Sequence, residues 1–214
     1  MHDPVMERDT LAVRHDFDML PRSAEIHVQP AQPSELSALA DMANRLVPGV
    51  RITEPDLERY FTFDPESILT FSRKKKLLGA VAFLYLNSRG HDALILDEAN
   101  LTHPDVRLLA GRSDEVSAIY VWAIAGQGRA MAGLGNVSKH LSVPRLACAD
   151  LYAQPSSTDG RNLMIALGFE PIPSYQHQLW RYERPWNRLP PNMPASNISA
   201  RSFADARHQT AILD

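Results

Sequence analysis

The sequence predicts an α+β domain built on one mixed, mostly antiparallel sheet flanked by helices. Two observations predict it. Residues 67–72 and 77–86 are apolar runs on either side of the basic turn Arg73-Lys74-Lys75-Lys76, which reads as an antiparallel hairpin. Further along, strand-like and helix-like runs alternate, so hairpin links and α/β connections combine in one sheet.

Taken in order, residues 1–23 are mixed in charge and weakly periodic and read as an N-terminal extension. Glu25-Ile26-His27-Val28 alternates like a short strand, closed by Pro30 and Pro33. Ser34 is placed to cap a helix with apolar residues Leu36, Leu39, Ala40, Met42, Ala43, Leu46 and Val47 at helical spacing. Pro48-Gly49 ends it. Thr53 before Pro55 opens a shorter helix through Leu57, Tyr60 and Phe61. After the hairpin, residues 91–98 fit a helix or a strand, and Thr102-His103-Pro104-Asp105 resembles another helix start. Residues 115–124 read as a strand, since Val116, Ile119, Tyr120, Val121, Trp122 and Ile124 are β-branched or aromatic. A glycine-rich turn leads into a helix, residues 145–152 read as the next strand, and a helix through Leu163, Met164 and Leu167 stops at Gly168. Residues 169–172 and 177–182 read as the last strands. The domain is expected over residues 24–184, with 185–214 a Pro-rich polar tail.

Composition narrows the function classes. Hydrophobic residues are 44% and charged residues 22%, the mix of a soluble globular protein. The net charge of -3 gives no global basic field, so neither nucleic acid nor an anionic membrane is expected as partner. The longest apolar run, residues 79–86, is too short to span a bilayer, and the first residues do not read as a signal peptide. One cysteine, Cys148, excludes an internal disulfide framework and suits a reducing cytoplasm; on the predicted strand it reads as a buried structural thiol. The eight histidines are scattered singly without ligand spacing, so no metal is expected.

The chemistry concentrates after the 115–124 strand, in Ala125-Gly126-Gln127-Gly128-Arg129-Ala130-Met131-Ala132-Gly133. A strand entering such a turn before a helix is a recurring phosphate holder, because the first amides of a helix lack internal partners. The Walker pattern is absent, since no Gly-Lys followed by Ser or Thr closes the turn. The dinucleotide fingerprint fails at its third glycine, where Met131 stands. Gln127-Gly128-Arg129-Ala130-Met131-Ala132 instead resembles the R/Q-x-x-G-x-G/A motif of the GNAT superfamily of acyl-CoA-dependent N-acyltransferases, with Ala130 in place of the middle glycine. Asp150-Leu151-Tyr152-Ala153, Gly160-Arg161-Asn162-Leu163 and Leu167-Gly168-Phe169-Glu170-Pro171 are similar to the family's late strand, helix and "GF" strand start, in the same order.

The resemblance implies a central strand splayed from its neighbour to hold coenzyme A. Backbone of Tyr120, Val121, Trp122, Ala123 and Ile124 would take the pantetheine arm, and the turn Gln127, Gly128, Arg129, Ala130, Met131, Ala132 the pyrophosphate. It implies acetyl-CoA or another short acyl-CoA as co-substrate and a small-molecule or peptide amine as acceptor. Many relatives carry a tyrosine acid four residues before the Gly-Phe pair, where this chain has Met164, and an asparagine where it has Ser157, also placed at the cofactor. Glu115 resembles the glutamate base of some relatives, and Tyr152 is the candidate to approach the thioester sulfur; a solvated carboxylate and a sheet-edge aromatic are their plain structural readings. Trp122 packs in the core beyond the sheet, or else lines the cleft and restricts it to a short acyl group. A degenerate module that binds acyl-CoA or a protein partner without turnover is the alternative function. The tail is either a linker or an arm draped over a second copy in a homodimer, anchored by residues such as Trp186 or Phe203.

Overall fold

The computed structural model describes residues 16–188. The chain divides after Arg184. Of the segment beyond, the described part is one 3-10 turn, Pro185–Arg188. Pro190, Pro191, Pro194 and Phe203, and the first fifteen residues, lie outside the described residues.

β1 (His27–Pro30) is the edge strand, which lets Pro30 end it without costing the sheet a ladder hydrogen bond. The first helix, α1 (Leu36–Leu46), buries Leu36, Leu39, Ala40 and Met42, the predicted stripe. Its entry differs from expectation: a 3-10 turn, Pro33–Glu35, precedes it, and the Glu35 carboxylate accepts from the Gln32 amide at 2.8 Å. α2 (Glu54–Phe63) is opened by Thr53 as predicted, its hydroxyl and the Asp56 carboxylate serving each other's amides.

β2 (Ile68–Arg73) and β3 (Lys76–Leu86) form the hairpin. Lys74 and Lys75 both take left-handed backbone, φ 49° and 65°, as a tight hairpin turn matched to strand twist requires. α3 (Ser88–Ile95) settles the ambiguous stretch as a helix, capped by the Asn87 side chain accepting from the Gly90 amide at 2.9 Å. Thr102-His103-Pro104-Asp105 does not start a full helix; Asp105 caps a single 3-10 turn, Val106–Leu108.

β4 (Ala118–Gly126) starts three residues later than expected and runs further. A 3-10 stretch, Gly128–Gly133, leads into α4 (Leu134–His140). The expected strand over 145–152 is divided: α5 (Pro144–Ala147) takes its first part and β5 (Asp150–Ala153) only its last. Pro144 is the reason, since its fixed φ and missing N–H suit the first turn of a helix. Cys148 therefore falls between the two elements and is exposed, not a buried strand residue. α6 (Thr158–Ala166), β6 (Glu170–Pro171) and β7 (Trp180–Tyr182) follow.

The strands make one seven-stranded sheet in the order β1-β2-β3-β4-β5-β7-β6, antiparallel throughout except for β4 and β5. On one face α4 and α6 pack with Phe17, a residue of the segment read as an extension, over Phe71, Phe83, Ile119 and Leu151. On the other, α1 to α3 cover Leu84, Tyr120 and Tyr152. The rim is locked by Arg184, which is 1% exposed. Its guanidinium donates to Asp18 at 2.6 Å, to the Leu141 carbonyl at 2.7 Å and to the Ala147 carbonyl at 3.0 Å, satisfying helix-end oxygens of α4 and α5. Among the described residues no helix is long and apolar enough to cross a membrane.

Candidate active site

β4 is paired with β3 along nearly its whole length but with β5 only at Ala118, Ile119 and Tyr120. The last matched pair is Tyr120 with Tyr152. β5 ends one residue later, and Gln154-Pro155 leads the chain away. Beyond that point the two parallel strands part. Backbone groups of Val121 to Ile124 on the β5 side have no ladder partner there, and these four residues are half-buried.

Opposite the opening, β3 and β4 shift register: Ala82 pairs with Ala123 but Phe83 with Val121, leaving Trp122 as an extra residue. Such a bulge bends the strand and re-aims a side chain. The Trp122 ring lies on the α2 side, its Nε1 donating to the Leu101 carbonyl at 2.7 Å and the ring in a T-shaped contact with Tyr60 at 5.0 Å between centroids. The indole is fixed there as packing.

The glycine-rich turn stands at the open end. Gly128 has φ 56°, is exposed, and has no atom within 4 Å of where a Cβ would sit, so its outer side is open. Two amides of the turn are committed: Gln127 donates to the Leu78 carbonyl at 2.9 Å and Ala130 to Gln127 at 3.1 Å. Ala130 is 0% exposed, and its methyl would lie 3.2 Å from a Cβ on Gly79 and 2.8 Å from one on Gly126. Its methyl therefore fills the core behind the turn. Arg129 and Ala132 are exposed, and Met131 is half-buried. Ser157 caps α6, its hydroxyl accepting from the Gly160 amide at 3.0 Å.

The candidate proton carriers separate. Glu115 precedes β4 and is exposed. Tyr152 stands at the parting of the strands, is 3% exposed, and its hydroxyl lies 2.9 Å from His91 Nε2 on α3. Burial pushes the Tyr152 hydroxyl above its ordinary range, with Asp150 adding to it and Arg181 opposing. Burial likewise holds the His91 imidazole below its ordinary range, against the charges of Asp92 and Asp150. Next to this pair, the Tyr120 hydroxyl donates to Gln154 Oε1 at 3.0 Å and the Gln154 amide to the His177 carbonyl at 2.6 Å. Met164 is buried against the α4–α6 face and carries no proton. Sequence reasoning set His91 aside among scattered histidines. Its signal was present: His91, Leu94 and Ile95 lie at helical spacing on one stripe, which faces the sheet. Among the described residues no group of three or more His, Cys, Asp or Glu side chains is placed to hold a metal.

A mixed sheet whose one parallel pair opens beside a glycine-rich turn is the architecture of the GNAT superfamily, and the chain has that fold. A solved structure of the loading GNATL domain of CurA from Lyngbya majuscula matches it at a TM-score of 0.53 and 12% identity, over 74% of this chain and 97% of that one. A GphF GNAT-like decarboxylase in complex with isobutyryl-CoA matches at 0.44 and 15%, over 59% of this chain; the alignment spans 64% of that protein's length. An N-acetyltransferase from Staphylococcus aureus matches at 0.41 and 15%, over 72% and 97%. No protein-family model matches the sequence, and no curated protein matches it either.

Proposed function

We infer that this chain is an N-acyltransferase moving an acetyl or other short acyl group from acyl-CoA to the amine of a small molecule or peptide. One observation carries the reading: β4 parts from β5 immediately after Tyr120 and Tyr152, so an open backbone edge runs from there toward the exposed turn at Gly128. That edge suits an extended amide-bearing arm, which adds to it as a strand would. A thioester carbonyl at the parting would accept from a β4 amide, polarised as the amine attacks. Tyr152 is the group at that point able to protonate the departing thiolate. Residues Gly128, Arg129 and Ala132 face the pyrophosphate in this reading, and Arg129 supplies a cation. The reducing cytoplasm remains the compartment we assign, from the single exposed thiol.

A second reading, an acyl-CoA-binding module without turnover, draws on buried Met164 at the position where relatives carry their tyrosine acid. Calorimetry with acetyl-CoA on the full chain, followed by thiol release with a panel of primary amines, separates them. We expect saturable one-site binding and amine-dependent thiol release. Binding without release from any amine favours the module, and no binding removes both readings.

A further inference from the structure

Tyr152 is enclosed by α3, β4 and β7, whereas His91 is only half-buried on α3. The two side chains meet at 2.9 Å, with ring centroids 5.2 Å apart and planes tilted by 52°. A phenol that gives up its proton inside the sheet must recover one, because a phenolate left in apolar surroundings is costly. The imidazole is the group in hydrogen-bond contact that can both donate and accept on opposite edges of its ring. We propose that His91 is the proton relay and positioning partner of Tyr152, linking the hydroxyl at the parted strands to solvent.

The proposal rests on the acyl-transfer reading. As the tetrahedral adduct collapses, the C–S bond breaks and its electron pair stays on sulfur. The Tyr152 O–H proton passes to that thiolate, His91 Nε2–H passes its proton to the phenolate, and Nδ1 takes one from water. The imidazole ends as its other neutral tautomer. The amine nitrogen, having formed its bond to carbon, has released a proton to solvent, so the count closes. The groups facing the pair are Asp92 on α3, Asp150 on β5, Arg181 on β7 and Glu183 just after it. Asp150 accepts the Arg184 amide at 2.8 Å and sits 3.8 Å from Arg181. Arg181 stands opposite Tyr152 in the β5–β7 ladder, where its charge favours the phenolate for the moment it exists. A neutral, half-buried imidazole at neutral pH is what a tautomeric relay requires.

The experiment measures kcat and KM for acetyl-CoA across the pH range in which an imidazole titrates, with the full chain and an accepted amine. His91→Gln keeps a hydrogen-bonding side chain but has no second tautomer. It should lower kcat by at least about tenfold, leave KM for acetyl-CoA unchanged and remove the acid limb of the profile. Tyr152→Phe should cost as much, and the double variant no more than either alone. Wild-type kcat and an intact acid limb in His91→Gln overturn the relay, as do losses that multiply in the double variant. Should His91→Gln fold poorly, NMR titration of the His91 imidazole in the wild-type protein and in Tyr152→Phe decides: an unmoved midpoint overturns the pairing. Absence of thiol release by the wild-type protein overturns the acyl-transfer reading itself and takes the relay with it. Release that ignores His91 overturns the relay alone.

Discussion

Met164 shows how one side chain decides what a position can do. It is 8% exposed and packs with Leu167 and Phe169 on the α4–α6 face. A tyrosine there would need room for a ring and a partner for its hydroxyl, and native packing has neither to spare. Met164→Tyr should therefore destabilise the protein by about 1–3 kcal/mol, read from the denaturant midpoint, without raising turnover. A stable variant with faster thiol release would mean that the position still addresses the thioester. Tyr152 differs in its surroundings: it too is buried, but it meets His91 across 61 positions of chain. The stripe of His91, Leu94 and Ile95 marks a face turned to the sheet, but no local pattern encodes which residue it meets there, so the pairing was not legible.

At the scale of elements, the glycine-rich turn has an inner and an outer face. Ala130 belongs to the inner one, interlocked with Gly79 and Gly126, so a carboxylate there would be buried without a partner. Ala132 is exposed on the same turn. Ala132→Asp should leave the melting temperature nearly unchanged and weaken acetyl-CoA binding at least about tenfold, since like charges meet. Ala130→Asp should lose the fold instead. Equal affinity in a folded Ala132→Asp variant would take the phosphate away from this turn. Elements with explicit punctuation were legible: Thr53 before Pro55 at α2, the basic turn of the hairpin, Gly168 after α6. Those that failed had rival signals. Residues 145–152 alternate like a strand, but Pro144 commits the first part to a helix. Val116 is β-branched and buried, yet it and Glu115 lie before β4, because pairing with β3 and β5 begins only at Ala118.

The whole domain is closed by contacts between its two ends. The Tyr182 hydroxyl lies within hydrogen-bond reach of both the Asp16 and Asp18 carboxylates, and Asp18 accepts from Arg184 at a sequence separation of 166. Arg184→Met would leave the Leu141 and Ala147 carbonyls short of a donor and Asp18 short of its cation. It should cost about 3–5 kcal/mol in the denaturant midpoint, and an unchanged midpoint would mean the clamp is replaceable by water. The same clamp sets an order of events during synthesis. Phe17 is among the first described residues to leave the ribosome, yet the strand that seats it against Tyr182 is among the last. Until residue 184 has emerged, the carbonyls that Arg184 receives stay open and the α4–α6 face lacks its final wall. The nascent chain can build the β2–β3 hairpin early, from local contacts, but closing the rim is a long-range step reserved for the completed domain.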